Sequence, residues 1–314
     1  MSFVGKRLVI TILTLFLVSV LTFTAFAVIP GDAASLMLGT EATNEQLETL
    51  RSELGLDKSL PVQYVSWLSR FLTGNLGNSI RFRGVAITDL VLERLPVTFS
   101  LAMMALAAIF VIAIPVALFM TTREHSALDR LVNTLTTVTI SAPAFFLGVV
   151  FIWVFGLTLR CFVPGAYVSY HDNWGAFLGY LMFPALAIAL PNAAIVIKFL
   201  RGAIFQQLRA DYVRTAFSKG ASRSRVLYRH VLKNAVIPAI TLLGMIIAEI
   251  FSGSIVIEQV FTIPGLGRLL IAAISSRDYP LAQTLVVYIA VIVILANTLV
   301  DISIQIIDPR IRVR

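Results

Sequence analysis

The chain has 314 residues, of which 58% are hydrophobic and only 13% charged, with a mean hydropathy of +0.89. That balance excludes an ordinary soluble domain, in which roughly a quarter of the residues carry charge. The formal net charge of +8 does not argue for a nucleic-acid partner, because the cations lie beside long apolar runs, where anionic lipid and the positive-inside bias account for them. The single cysteine, Cys161, excludes an internal disulfide and any paired-cysteine zinc or redox motif; it is read as a small apolar residue near a helix end.

Six apolar runs, at 8–29, 97–120, 131–157, 178–197, 237–257 and 281–304, are long enough to cross a bilayer core, which takes about 20 residues per helix. The first follows Lys6 and Arg7 and ends in a cleavage-like Ala25-Phe26-Ala27. It exceeds the roughly 7–15 residues of a signal-peptide core and reads as a retained anchor. Residues 30–95 then form one large segment with its own order. Thr43 and Gln46 have the spacing of a capping box, Leu47, Leu50 and Leu54 share a helical face, and Gly55 can close the helix. A second helix is predicted to start at Pro61 and to bury Val65, Leu68 and Leu72. Sixteen of the 25 Lys and Arg fall in 1–7, 121–130, 198–236 and 305–314, which predicts both termini in the cytoplasm and the 30–95 segment outside. The expected organisation is 1–93 for the first span and its external segment, 94–304 for a five-helix core, and 305–314 for a cytoplasmic tail.

Signatures of covalent chemistry are missing. His125, His171 and His230 are scattered and none sits in an HExxH pattern; no GxxxxGK[ST] phosphate loop occurs, the Gly265–Gly267 pair lacks a preceding strand, and there is no GxSxG elbow. No catalytic residue and no metal ligand is assigned. Within the spans, Glu249 is the isolated carboxylate; in lipid it must face protein or water, so it is either a lining of a translocation path or a protonated or hydrogen-bonded structural group. Asn192 and Asn297 read as interhelical hydrogen-bonding groups, and Asp301 as a partner for an interfacial arginine.

Between 198 and 236 nine Lys and Arg stand against one acid, Asp211. Ala210, Val213, Phe217 and Ala221 fall on one face at helical spacing, while Arg209, Arg214 and Arg223 point elsewhere. The pattern describes a short amphipathic helix, broken at Gly220 and followed by a basic second helix. For a basic loop in general the plain reading is a solvated helix touching lipid.

Here the passage Asp211-Tyr212-Val213-Arg214-Thr215-Ala216-Phe217-Ser218-Lys219-Gly220 resembles the EAA loop of ABC importer permeases, with Ala216 and Gly220 in register. Arg214 stands where the family's leading Glu would be, and Lys233 follows Leu232 where the family has Pro. The stretches at 30–34, 45–64, 74–80, 93–102, 258–283 and 308–312 resemble, in order and along the whole chain, the type B permeases for dipeptides, oligopeptides and nickel. The resemblance implies an all-α integral membrane protein with six transmembrane helices and the type I importer permease fold, acting by alternating access. It implies a coupling loop over 199–236 carried by Asp211, Tyr212, Val213, Thr215, Ala216, Phe217 and Gly220, with Val213 and Phe217 as apolar anchors for a partner. The implied partners are a second, similar permease, two ATP-binding subunits, an external solute-binding protein and the lipid bilayer of the inner membrane. The chain itself would bind no cofactor, ATP being used by the partner subunits. The competing readings are a secondary transporter or channel that works without ATPase subunits, and an intramembrane enzyme. The transported solute, whether peptide, glutathione or nickel, is not legible, with peptide the first expectation.

Overall fold

The structure, a computed structural model, describes residues 3–29, 35, 43–82 and 84–307. The motifs at 30–34 and 308–312 and most of the expected tail lie outside these residues, as do the side chains of Leu50 and Leu54. The described chain is helical; its strand-like pairing is a single bridge between Asn78 and Ala86. Among the described residues four helices are continuous and apolar enough to span a membrane, and two bent pairs raise the number to six when each is taken as one span.

The chain forms two compact units, 1–98 with 264–295 and 99–263 with 296–314. Residues 264–295, which the sequence reading assigns to the core, thus pack with the N-terminal segment.

In the first unit, α1 (Phe3–Val28), α2 (Asn44–Leu54), α3 (Leu60–Leu72) and the start of α4 (Ile87–Thr122) join α11 (Leu266–Ser275) and the start of α12 (Tyr279–Ile307). The predicted boundaries of α2 hold. The Thr43 hydroxyl accepts from the Gln46 N–H, the Gln46 side chain accepts from the Thr43 N–H, and Gly55 closes the helix at φ 71°. The predicted face of α3 does not. Of the three expected residues only Leu68 is half-buried, while Val65 and Leu72 are 64% and 76% exposed; the other half-buried positions are Gln63, Tyr64, Trp67 and Phe71. The reason is aromatic: the Tyr64 ring meets Phe16 and Phe23 of α1, Trp67 meets Phe23, and Phe71 meets Tyr288 of α12. Aromatic rings bury more area than valine and gain from edge-on contact, so they fix which side of α3 turns inward.

A buried polar knot closes this unit. Asp278, with no exposed surface, accepts from the Ser79 hydroxyl (2.5 Å) and the Arg81 N–H (3.0 Å) through Oδ2, and from the Leu281 N–H (3.3 Å) through Oδ1. The Ser79 oxygen in turn accepts from the Phe82 N–H. One carboxylate therefore caps α12 and holds the 79–82 turn. The apolar cluster nearby is Ile87, Leu90 and Val91 with Leu266, Leu269, Leu281 and Leu285.

In the second unit α7 (Trp174–Leu208) is the central helix. Against it pack α5 (Ala127–Ser141), α6 (Ala144–Phe151), α9 (Arg223–Ile240) and α10 (Leu243–Val260). The third and fifth apolar runs, expected as spans, are each bent. α5 and α6 meet at 106° across Ala142 and Pro143, and α9 and α10 at 58°. Pro143 takes the extended conformation and begins α6 without offering an N–H to α5, as proline requires of the residues around it. Gly148 brings α6 against α10: a Cβ there would lie 3.0 Å from Ile257 and 3.1 Å from Phe261, the close approach that small residues permit between membrane helices. Tyr180 ties α7 to the end of α10 by donating to the Phe261 carbonyl at 2.6 Å. Asn192, expected to bond between helices, donates instead to Ile188 of its own helix.

Candidate coupling site

The basic passage folds as a corner of three pieces: the end of α7, the eight-residue helix α8 (Asp211–Ser218), and α9. Ala210 is extended and starts α8 without a side-chain cap, leaving Asp211 in the first turn, where a carboxylate complements the helix dipole. The far end is closed by geometry. Gly220 stands at φ 77°, its N–H donates to the Phe217 carbonyl (2.9 Å), and the Ala221 N–H donates to the Ala216 carbonyl (3.1 Å). Those two bonds satisfy the terminal carbonyls in the glycine-dependent manner that stops a helix sharply. A Cβ at Gly220 would meet nothing within 4 Å, so the demand for glycine there is one of backbone conformation and not of space.

α8 rests on the first part of α9, whose residues Val226–Val231 form a π-helical turn with Val226, Leu227 and Val231 buried. Of the residues singled out in the sequence, Val213 is the buried one, at 2% exposure. This corrects its expected role as a partner anchor, because its side chain is already used inside the chain. Phe217 is 46% exposed, Ala216 is half-buried, and Asp211, Tyr212, Thr215 and Gly220 are exposed. The Tyr212 hydroxyl donates to the Gln207 side-chain oxygen at 2.8 Å, which steadies α8 on the end of α7. Asp211 and Arg214 approach to only 3.9 Å, with side chains almost wholly in solvent, so their pairing adds little. Tyr228, 55% exposed on the π-turn, is an outward aromatic that the sequence reading did not single out.

A second contact was not foreseen. Asp129 sits at the third position of α5, receives Arg201 of α7 at 3.0 Å, and accepts from the His125 N–H; the Asp129 and Arg201 side chains are 8% and 20% exposed. Ser126 caps α5 by accepting from the Asp129 N–H. The Ser126-x-x-Asp129 spacing was the available signal for the cap, while the arginine lies 72 residues further on. The pair fixes the start of α5 to α7 one short stretch ahead of α8. Glu249 is not brought to this site. It lies exposed on α10 and has no hydrogen bond among the described residues.

The geometry defines a multi-pass helical membrane protein that presents a mostly exposed eight-residue helix seated on its own apolar turn. The family model for binding-protein-dependent transport system inner membrane components matches residues 113–313, and the N-terminal model of the same transport systems matches 1–102. The chain is 35% identical to a probable peptide ABC transporter permease protein, y4tP, of Sinorhizobium fredii, over 99% of each chain. It is 37% identical to a putative peptide transport system permease protein of Brucella abortus, over 98% of each, and 31% identical to the oligopeptide transport system permease protein AppB of Bacillus subtilis, over 99% of each. The chain belongs to the binding-protein-dependent ABC transporter permeases: it is a non-catalytic, membrane-spanning subunit that works with an ATPase and a substrate-binding protein.

Proposed function

We propose that the chain is one half of the membrane pore of a peptide importer, paired with a second, similar permease above two ATP-binding subunits. Peptide as the solute is supported by the printed names of the full-length relatives. Both termini face the cytoplasm, as the placement of sixteen of the 25 cations supports, and nucleotide is bound by the partners and not by this chain. Asp211, Tyr212, Thr215, Ala216, Phe217 and Gly220 form the lever that the ATPase grips, with Val213 as its internal footing. Glu249 contributes to the lining of the translocation path, since an ionisable group exposed within an apolar span needs water or a protein partner.

The observation that carries the reading is the construction of α8: one residue inward, Phe217 outward, and a glycine stop that keeps the helix short. Co-purification of the permease pair with its ATPase subunits tests it. Phe217→Asp is expected to insert normally and to lose the ATPase subunits, or to retain them while ATP hydrolysis ceases to respond to loaded binding protein. Normal assembly and peptide uptake by this variant would remove α8 from the coupling role.

A further inference from the structure

We propose that the first unit carries a binding site for an anionic phospholipid, with the phosphate held by Lys58 and Arg70 and the acyl chains lying on aromatic side chains of α1 and α3. The leaflet, the outer one, rests on the orientation proposed above.

Three observations lead to it. The first concerns depth. α3 does not sit beyond the end of α1 but beside it: Tyr64 meets the Phe16 ring at 6.4 Å and shares a 2.8 Å hydrogen bond with Ser19. Phe16 precedes the end of α1 at Val28 by roughly 18 Å of helix at 1.5 Å per residue, which is on the order of half of a bilayer's hydrocarbon core. A helix that touches the first span there lies within one leaflet.

The second is the outward face of α3. Val62, Val65 and Leu72 are 48%, 64% and 76% exposed. That face is costly against water and comfortable against acyl chains.

The third is a cavity of about 980 Å³ bounded by α1, the 51–78 segment and the start of α12. Phe23, Phe26, Trp67 and Phe71 supply apolar wall, Arg51, Lys58 and Arg70 supply positive charge, and none of the lining residues is acidic. Among the described residues neither Lys58 nor Arg70 forms an ion pair. A cavity that is cationic in one part and aromatic in another, at the flank of a membrane span, fits a molecule with an anionic head and an apolar body. A free anion would leave the aromatic wall without a partner. A zwitterionic lipid would bring its ammonium to Lys58 and Arg70.

The test uses the full permease complex, purified and exchanged into defined lipid, with native mass spectrometry as the readout. Phosphatidylglycerol and phosphatidylcholine of identical acyl chains are offered together, and glycerol phosphate is added as a soluble competitor. The expected result is selective retention of phosphatidylglycerol, unaffected by glycerol phosphate. Lys58→Gln with Arg70→Gln should lower the preference by about fivefold per cation removed, from about 1 kcal/mol per basic residue at an anionic lipid surface. Should the double variant fail to assemble, Lys58→Gln alone, at an exposed position, is expected to give the single fivefold drop. Equal retention of the two lipids, or an unchanged preference in the variants, overturns the proposal. Displacement by glycerol phosphate makes the site one for a free phosphate and overturns the lipid assignment. ATPase subunits are counted in the same spectra, so a failure of the permease reading is seen separately.

Discussion

The Asp278 knot and the helix Asp211–Ser218 use the same kinds of residue in opposite ways. Around Asp278 a carboxylate, a hydroxyl and two backbone N–H groups are turned inward and answer one another completely. Along α8 most polar groups face out, and the helix is held by one valine beneath it, the Tyr212 bond to Gln207 and a glycine at its end. A buried polar group is bound to its partners by the cost of leaving them unmet, whereas an exposed one is free for another molecule to use. The first region should therefore respond to substitution through stability, and the second through assembly.

Asp278→Ala should give the largest loss of stability, because it strands the buried Ser79 hydroxyl and Leu281 N–H together with the part-buried N–H of Arg81. At about 1–3 kcal/mol for each buried group left unpaired, the loss should reach about 3 kcal/mol or more, seen as a fall in the thermal midpoint in detergent. If Asp278→Ala melts like wild type, the contrast between the regions fails at its stronger end.

Asp129→Ala should come next. Removing one member of a buried pair costs about 3–5 kcal/mol, but the 20% exposure of Arg201 lets water reach the arginine, so the effect should fall at or below the low end of that range. Asp129→Ala with Arg201→Met should recover part of it, and no recovery in the double variant would deny the pair its place.

Gly148→Ala should cost about 1–3 kcal/mol by pressing a methyl group against Ile257 and Phe261. Gly220→Val should cost less, about 1–2 kcal/mol of backbone strain at φ 77° confined to the end of α8. Its thermal midpoint should stay close to wild type while ATPase subunits are lost. A large fall in the midpoint with assembly intact would reverse the assignment of roles. Arg223→Gln, whose exposed side chain makes no described hydrogen bond, should change stability by no more than about 0.5 kcal/mol and leave assembly unchanged.

Local features were legible in the sequence because their causes are local. The Thr43 and Gln46 cap, the stop at Gly55 and the left-handed turn at Gly220 each depend on residues within one or two helical turns. The six spans follow from composition, but their two bends do not. A hydropathy run registers that 131–157 is apolar and is blind to the break at Pro143. The inward face of α3 was misread because periodicity weighs Val65 and Leu72 like any apolar residue, while the choice was made by rings on α1 and α12 that meet Tyr64, Trp67 and Phe71. Within the candidate site, Asp211 to Gly220 was marked as one stretch, yet the division of labour between Val213 and Phe217 needed the turn at 226–231 on which α8 rests. The Asp278 and Asp129 contacts join residues 199 and 72 positions apart, a pairing that no window along the chain contains.

That turn also has a consequence in plain counting. In an α-helix, side chains five positions apart point about 140° away from each other. In the wider π-turn Val226 and Val231 are both at 0% exposure, with Tyr228, Arg229 and His230 carried outside in succession. The stretch thus holds one residue more than an α-turn needs to bring two valines to the same side. A chain shortened by one residue between Val226 and Val231 would keep its inward pair as an ordinary α-helical turn, and would give up one of the three outward side chains beside α8.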